Sequence, residues 1–377
     1  MKEADVIVIG GGLGGWCSAI HLRKAGLKVM LIEKRQYPFH KFCGEYLSAE
    51  VEPYLSSLGL SLEKSGANRI RKFKLSSHTG KYVTSKLSIG GFGIRRYTLD
   101  YQLAILGQKE GIKLIEGKEV RKIQFESGYH KLICKDKSSY RAELIIGAYG
   151  KRTGLDKELK RDFLGSSSSY IGVKQYFDYD YPAAEVSLHN FEGGYCGMAR
   201  MEDGSLNLCY LSKKEILNKY GGIDELESKV LSKNPFIKEV FHSSRKLLDK
   251  PIVISNIYFE EKNLVENHVL MCGDAAGMIF PLAGNGMAMS IHAAKILAEQ
   301  IVLFKQGKLS RTELENSYQK EWNDKFASRL SWGRNFQPFM GSNRLSSFAV
   351  SSLKLLPPLL PAIIKRTHGH YLDAYTQ

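Results

Sequence analysis

The sequence is short of cysteine in any paired arrangement. Six occur in 377 residues, at positions 17, 43, 134, 196, 209 and 272, and no two form a C-x-x-C pair. Scattered single cysteines argue against a zinc site and against a disulfide framework, and they fit a reducing, cytoplasmic setting. No run of eighteen apolar residues occurs, so no membrane span is expected. The opening MKEADVIVIG reads as the start of a strand and not as a signal peptide. Internal repeats and low-complexity tracts are also missing. The net charge is +15, yet lysine and arginine are spread through mixed clusters and form no single block. A basic chain can face nucleic acid, an anionic membrane or an acidic substrate, or simply carry a solvated basic surface. No Arg/Lys stripe with interleaved stacking aromatics stands out, which makes nucleic acid the weakest of these partners. With 43% hydrophobic and 25% charged residues, the composition is that of an ordinary globular chain long enough for two cores.

What is present is concentrated at the start. Asp5-Val-Ile-Val-Ile9 is a β-branched run, followed by Gly10, Gly12 and Gly15 in the spacing G-x-G-x-x-G. Residues 16–25 then read as a helix and LKVMLIE, 27–33, as a second apolar strand, the pattern of parallel strands buried on both faces. In such a unit the first glycine permits the tight turn, the second lets a pyrophosphate approach the backbone, and the third lets the helix pack on the sheet. The helix N-terminus directs free N–H groups at the phosphates. Glu33, 18 residues after Gly15, ends the second strand, where a carboxylate can take both ribose hydroxyls. The unit alone leaves FAD and NAD both open.

Further along, KRQYPFHKFCGEYLSAE (34–50) reads as a loop leading to a helix near Ser48. This loop should return toward the ligand, where His40 and Lys41 could reach a phosphate or a ring edge. Cys43, taken alone, reads as a small buried filler. Residues 69–89 form two antiparallel strands around a His78-Thr-Gly80 turn and start a second sheet. Arg96 to Asp100 opens a helix running to about Glu110. ELIIGAYG (143–150) should lie parallel to the first strand. From 156 to 262, alternating stretches with hairpin turns predict an antiparallel sheet, interrupted by helices at 213–248. Its aromatics, Tyr176, Phe191 and Tyr195 among them, make a plausible wall for an apolar substrate, although ordinary sheet core explains most of them. A buried strand then ends at Gly273-Asp274, and a long helix follows Gly284-Asn-Gly286. Asp274 thus sits at the C-terminal end of a strand, where α/β folds bind ligands. Residues 306–377 are helical and basic.

Taken together, the N-terminal G-x-G-x-x-G with Glu33, the R-x-x-L-D of Arg96–Asp100 and GDAAG…PLAGNGM at 273–287 resemble FAD-dependent oxidoreductases of the para-hydroxybenzoate hydroxylase type. K-F-C-G-E (Lys41–Glu45) and the GGY ending at Tyr195 look most like the geranylgeranyl reductase branch, and the resemblance spans residues 1 to about 305. It implies an α/β fold: a discontinuous Rossmann-like FAD-binding domain (1–75, 95–155 and 263–305), an antiparallel substrate domain (76–94 and 156–262) and a C-terminal helical segment (306–377). It also implies that Gly10, Gly12, Gly15 and Glu33 hold the ADP half of FAD, that Arg96 faces the ribityl or pyrophosphate part, and that Asp274 binds the ribityl chain. Gly284, Asn285, Gly286 and Met287 would follow the flavin's pyrimidine edge. Further cofactor contacts are expected at Leu13, Gly14, Lys34, Lys41, Gly44, Val120, Gly150, Gly273, Ala275 and Pro281. Cys43 falls where that branch places a cysteine near the isoalloxazine ring, which favours a working role over filler.

Two departures from the family pattern matter. G-A-Y-G at 147–150 replaces the usual G-A-D-G, and no second G-x-G-x-x-G follows a strand, so the electron donor, NAD(P)H or a redox protein, stays open. The W-x-W-x-I-P stretch of flavin-dependent halogenases is absent. The expected function is hydride transfer between flavin N5 and an apolar unsaturated substrate of prenyl, polyene or polyketide-like kind, with Cys43 supplying or relaying a proton. The alternative is an aromatic monooxygenase acting through a flavin hydroperoxide. A nucleic-acid-binding flavoprotein ranks below both. The leucine-rich, Lys/Arg-flanked tail at 345–366 could touch a membrane surface or cover the way in to an apolar substrate pocket.

Overall fold

The fold follows from where apolar runs end in glycine and where they alternate. In the computed structural model, which describes residues 2–165, 169–255, 257, 260–278, 285–336, 341–367, 369 and 371–376, the chain starts with β1 (Lys2–Ile9), α1 (Leu13–Lys24) and β2 (Val29–Glu33). Val6, Ile7 and Val8 are fully buried and every residue of β2 is buried, as strands covered on both faces require. Helix α1 begins three residues before the expected start, because Gly12 already serves as its N-cap.

The chain then crosses to a second sheet with β3 (Tyr46–Ser48), passes through α2 (Glu52–Leu58), and forms the hairpin of β4 (Asn68–Ser76) and β5 (Tyr82–Gly93). It returns through α3 (Arg96–Lys109) to β6 (Lys113–Glu116), β7 (Val120–Glu126), β8 (Tyr129–Cys134) and β9 (Ser139–Gly147), then α4 (Gly154–Glu158). The second sheet resumes with β10 (Tyr170–Asp178), β11 (Glu185–Phe191), β12 (Gly194–Arg200) and β13 (Leu206–Lys213). Helices α5 (Lys214–Tyr220), α6 (Ile223–Lys229) and α7 (Pro235–Ser243) interrupt it before β14 (Arg245–Lys246) and β15 (Ile252–Ile254). A last return gives β16 (Val265–Glu266) and β17 (Val269–Met271), and α8 (Gly286–Lys305), α9 (Arg311–Phe336), α10 (Asn343–Leu355) and α11 (Leu359–Thr367) complete the chain.

Among the described residues the first sheet has the order β16-β17-β9-β1-β2-β6, with β8 joining β9 to β7. Its central pairs β1·β2, β1·β9, β9·β17 and β2·β6 are all parallel. The second sheet runs β14-β10-β13-β12-β11-β4-β5-β3, antiparallel apart from the parallel pair β4·β11. The expected domain boundary at 75/76 does not match this. All of β4 is hydrogen-bonded to β5, with Leu75 opposite Val83, and β3 pairs with β5 as well. A hairpin cannot be divided between two sheets, so the first crossing lies near residue 46.

Helix α8 is long and apolar enough to cross a membrane, but 67% of its most apolar window is buried inside the protein. Ala288, Ile291, Ala294 and Leu297 belong to the large core that also holds α1 and the first sheet, so α8 is a core helix. A smaller core joins α10 and α11 to the second sheet through Val350, Leu360 and Ile364 packed with Ile70, Val83 and Leu87. The end of the chain returns to the first unit, where Leu372 N–H donates to the Glu50 carbonyl (2.7 Å) and Tyr375 N–H to Ser57 Oγ (2.7 Å).

Candidate functional site

The glycine turn is built to leave one face open. Gly10 has φ +103°, and a Cβ there would strike the Ala148 backbone of the loop after β9. A Cβ on Gly15 would run into the Gly10 carbonyl, so only glycine lets α1 start this close to the turn. Gly12 differs: the groups nearest its missing side chain are the Arg96 guanidinium (3.6 Å) and the Lys41 ammonium (3.7 Å). Asp100 holds both cations. It receives a bidentate pair from Arg96 (2.8 and 2.8 Å) and an ion pair from Lys41 (2.7 Å). Burial opposes the Asp100 charge, but these two partners override it and hold the carboxyl below its usual range. Two cations share one anion beside an uncapped helix N-terminus, which leaves a net positive, N–H-rich surface of the kind that binds a pyrophosphate. Glu33 flanks it, accepting from the backbone N–H of Gly11 (2.8 Å) and of Arg35 (3.0 Å).

Across the cavity, β17 ends at Cys272-Gly273-Asp274. The Asp274 side chain is exposed on the cavity wall, while its carbonyl takes a hydrogen bond from Lys262 Nζ (2.8 Å). Burial pulls the Lys262 ammonium down to about 8. Asn285 donates to Glu50 Oε1 (2.9 Å), and Gly286 and Met287 open α8 on the cavity wall.

Between these two sides lies the loop that carries Cys43. Its thiol lines the cavity and accepts from the Glu45 N–H (3.4 Å), while its carbonyl accepts from Asn207 Nδ2 (3.2 Å). Burial raises the thiol pKa; Arg96 partly opposes the rise and Glu45 adds to it, so the group stays protonated at neutral pH. Gly44 has nothing within 4 Å of where a Cβ would stand, so the backbone there faces open space. Glu45 is fully buried with φ +59°, and it gathers the ammonium of Lys174 (2.6 Å), the hydroxyl of Tyr176 (2.9 and 2.8 Å) and the N–H of Arg96 (2.8 Å). Burial raises its carboxyl pKa against the pull of Lys174. Lys174 is itself fully buried and donates also to the Lys41 carbonyl (3.1 Å). His40 stands beside this cluster, its ring 5.6 Å from that of Tyr176, and burial lowers its pKa.

One cavity of about 820 Å³ connects these groups. Its polar side is formed by Gly10, Gly12, Leu13, Gly14, Glu33, Lys34, Lys41, Arg96, Gly150, Gly273 and Asp274 together with Asn285, Gly286 and Met287, and Cys43 and Gly44 lie between the sides. Its apolar side is formed by Phe73, Leu75, Leu87, Leu188, Tyr195, Leu211 and Ile254 of the second sheet and by Phe348, Val350, Leu353, Leu360 and Ile364 of α10 and α11.

Five expected residues do not line it. Phe191 points to the opposite face of the second sheet, into the core with Phe177 and Tyr210, because side chains alternate along β11. Tyr176 faces the right way but is spent on Glu45, so Tyr195 alone of the three expected substrate residues reaches the cavity. Gly15 is covered by the Gly10 carbonyl, Ala275 is fully buried in the large core, and Val120 lines a small separate cleft with Ile9 and Glu33. Pro281 and Gly284 lie outside the described residues. Lys174 was missed because a lysine inside an alternating strand gives no sign that it is buried; the K-F-C-G-E carboxylate at Glu45 was the one available hint.

Residues 5–40 match the family model described as an FAD binding domain. The chain is an FAD-dependent oxidoreductase. Among curated relatives, the flavoprotein is 27% identical to digeranylgeranylglycerophospholipid reductase of Methanosarcina acetivorans, over 86% of this chain and 82% of that one. It is 24% identical to conditioned medium factor receptor 1 of Dictyostelium discoideum, over 89% of this chain and 70% of that one. Among solved structures it is similar in fold to the flavin-dependent brominase Bmp2, with TM-score 0.79, 18% identity, and 99% and 95% of the two chains covered.

Proposed function

We propose that this flavoprotein is a reductase or dehydrogenase of apolar, unsaturated small molecules of prenyl or polyene kind. When bound, FAD supplies the hydride chemistry at N5. The remaining work falls to the chain's own residues. The open face at Gly12, with Arg96 and Lys41 beside it, fits the pyrophosphate, and Glu33 fits the adenosine ribose. Asp274 fits the ribityl hydroxyls, and Asn285 to Met287 fit the ring's polar edge. Cys43 holds a proton on the cavity wall, with its neutral thiol ready to donate. The apolar walls of the second sheet and of α10 and α11 orient the substrate and exclude water.

The observation that carries this reading is the cavity in which a protonated thiol stands between the glycine-turn side, with Arg96, Lys41 and Glu33, and the largely apolar wall of the second sheet, α10 and α11. Tyr149 in place of the usual aspartate leaves the donor to be found by experiment. The test is anaerobic reduction of the bound flavin by NADPH, NADH or a chemical reductant, followed by addition of a polyprenyl substrate dispersed in detergent. Flavin reoxidation with loss of a double bond supports the reductase. No anaerobic turnover, with hydroxylated product or peroxide only in air, would move the assignment to aromatic hydroxylation.

A further inference from the structure

The two last helices have two apolar faces, and the cavity uses only one. Val350, Leu360 and Ile364 turn inward onto the second sheet. On the outside, Leu355 is 81% exposed and Phe348 70%, and Leu345, Leu356 and Leu359 are exposed as well. Leu355, Leu356 and Leu359 stand at the bend where α10 and α11 meet at 110° across Pro357 and Pro358, and Phe348 and Leu345 lie further back along α10. Phe348 both lines the cavity and faces solvent, so it marks the mouth of the apolar side. A contiguous apolar tip of this kind is not left in water without a use.

The charge on these two helices is one-sided. Residues 343–367 contain Arg344, Lys354, Lys365 and Arg366 and no Asp or Glu, and Arg344, Lys354 and Lys365 are exposed. A second copy of this chain, itself carrying net charge +15, would bring like charge to that surface. An anionic bilayer would bring opposite charge, and its acyl region would take the leucines and the phenylalanine.

We propose that α10 and α11 form a docking element that seats on an anionic phospholipid surface, with the Leu355–Leu356 tip inserted and the Phe348 mouth turned toward the acyl layer. Resting on the reading of the cavity as an apolar-substrate site, this gives a lipid-borne substrate a route into the cavity that never passes through water.

The test is flotation of the FAD-loaded full-length protein with substrate-free vesicles, either phosphatidylcholine alone or phosphatidylcholine with phosphatidylglycerol. The parent should float with the anionic vesicles at low salt and release as salt rises. Leu355→Glu/Leu356→Glu changes two exposed side chains outside the cavity lining, so the variant should keep its flavin absorbance and melting temperature. Its partition onto anionic vesicles should fall roughly tenfold or more, the scale of two leucines no longer buried. A parent that stays in solution with anionic vesicles at low salt overturns the proposal, as does a variant that floats like the parent. A parent dimer that the double substitution dissolves, without flotation of either protein, assigns the tip to self-association instead. Because the vesicles carry no substrate, failure here leaves the anaerobic turnover result standing, and failure there leaves this one standing.

Discussion

Cys43 and Glu45 are two residues apart, both line the cavity and both are raised above their ordinary pKa values mainly by burial. The Glu45 carboxylate, however, is taken up by Lys174, Tyr176 and the Arg96 N–H, whereas among the described residues the thiol accepts only from the Glu45 N–H. A filler thiol would tolerate alanine; a proton donor would not. Cys43→Ala should therefore keep FAD and fold but lower substrate turnover roughly a hundredfold or more, the scale of general-acid catalysis. Stopped-flow measurement should find flavin reduction much less affected than product formation, and equal product formation in parent and variant would return Cys43 to packing. The carboxylates make a separate prediction. Glu33→Ala and Asp274→Ala each remove charge-assisted hydrogen bonds worth about 1.5–3 kcal/mol, so FAD affinity should drop by about one to two decades apiece. Fluorescence titration of the apoprotein checks this, and unchanged affinity in both would show the carboxylates serving something else. Glu33 was legible from spacing alone, because it must follow the glycine turn at the end of the second strand. Cys43 was legible only through the family resemblance. Lys174 was not legible at all, since its burial is decided by a carboxylate 129 positions earlier, Glu45, that folding brings to within 2.6 Å.

At the level of elements, the glycine turn and the helix that follows were readable because their geometry is local. Backbone conformation and the missing Cβ atoms fix it without help from the rest of the chain. That locality has a consequence. Gly15→Ala would push a methyl into the Gly10 carbonyl, which is backbone and cannot rotate aside, so α1 must move off the turn. The expected cost is about 1–3 kcal/mol, the usual range for overpacking, together with weaker FAD binding. Gly44→Ala meets nothing within 4 Å and should leave the unfolding midpoint of the flavin-free protein unchanged. Urea denaturation of both apoproteins tests the pair; equal midpoints would mean α1 has room that the geometry denies it. The strands of the second sheet were also read correctly as elements, but their facing was not. Phe191 and Tyr195 are both apolar and lie in paired strands, and only the direction in which β11 enters the sheet decides which of them meets the cavity. The division at 75/76 fits poorly for a local reason: it cuts the β4–β5 hairpin that the alternation at 69–89 already shows, while the pairing of β4 with β11, more than a hundred residues away, is what no single strand reveals.

Over the whole molecule, folding buries titratable groups that the sequence shows only as scattered letters. Among the described residues four histidines are enclosed in this way. His21 meets the Tyr54 hydroxyl (2.9 Å), and His189 is held between Ser76 and Ser187 (2.8 Å each). His130 contacts the Glu143 carbonyl (3.2 Å), and His292 packs against the Phe326 ring. Burial is the main cause that lowers His21 and His130 to about 4 and His189 and His292 to about 3. In the unfolded chain each returns to about 6.5. The sign follows directly. Above pH 6.5 all four are neutral in both states and impose no penalty. As pH falls below 6.5 the unfolded chain binds protons that the folded chain refuses until about pH 4 or 3, so stability drops throughout that window. At pH 5.5 the loss is on the order of 1 kcal/mol for each histidine, a large share of a typical stability of roughly 5–15 kcal/mol. Urea unfolding at pH 7.5, 6.5 and 5.5, with free FAD held at a fixed excess, should show little change across the first interval and a marked fall across the second. His189→Gln replaces a titrating ring with a neutral amide, so the fall should become shallower by about a quarter of the four-histidine total. Equal stability of the parent at pH 7.5 and 5.5 would mean that these rings accept protons in the folded state, and that the cores around them are more open than their enclosure indicates.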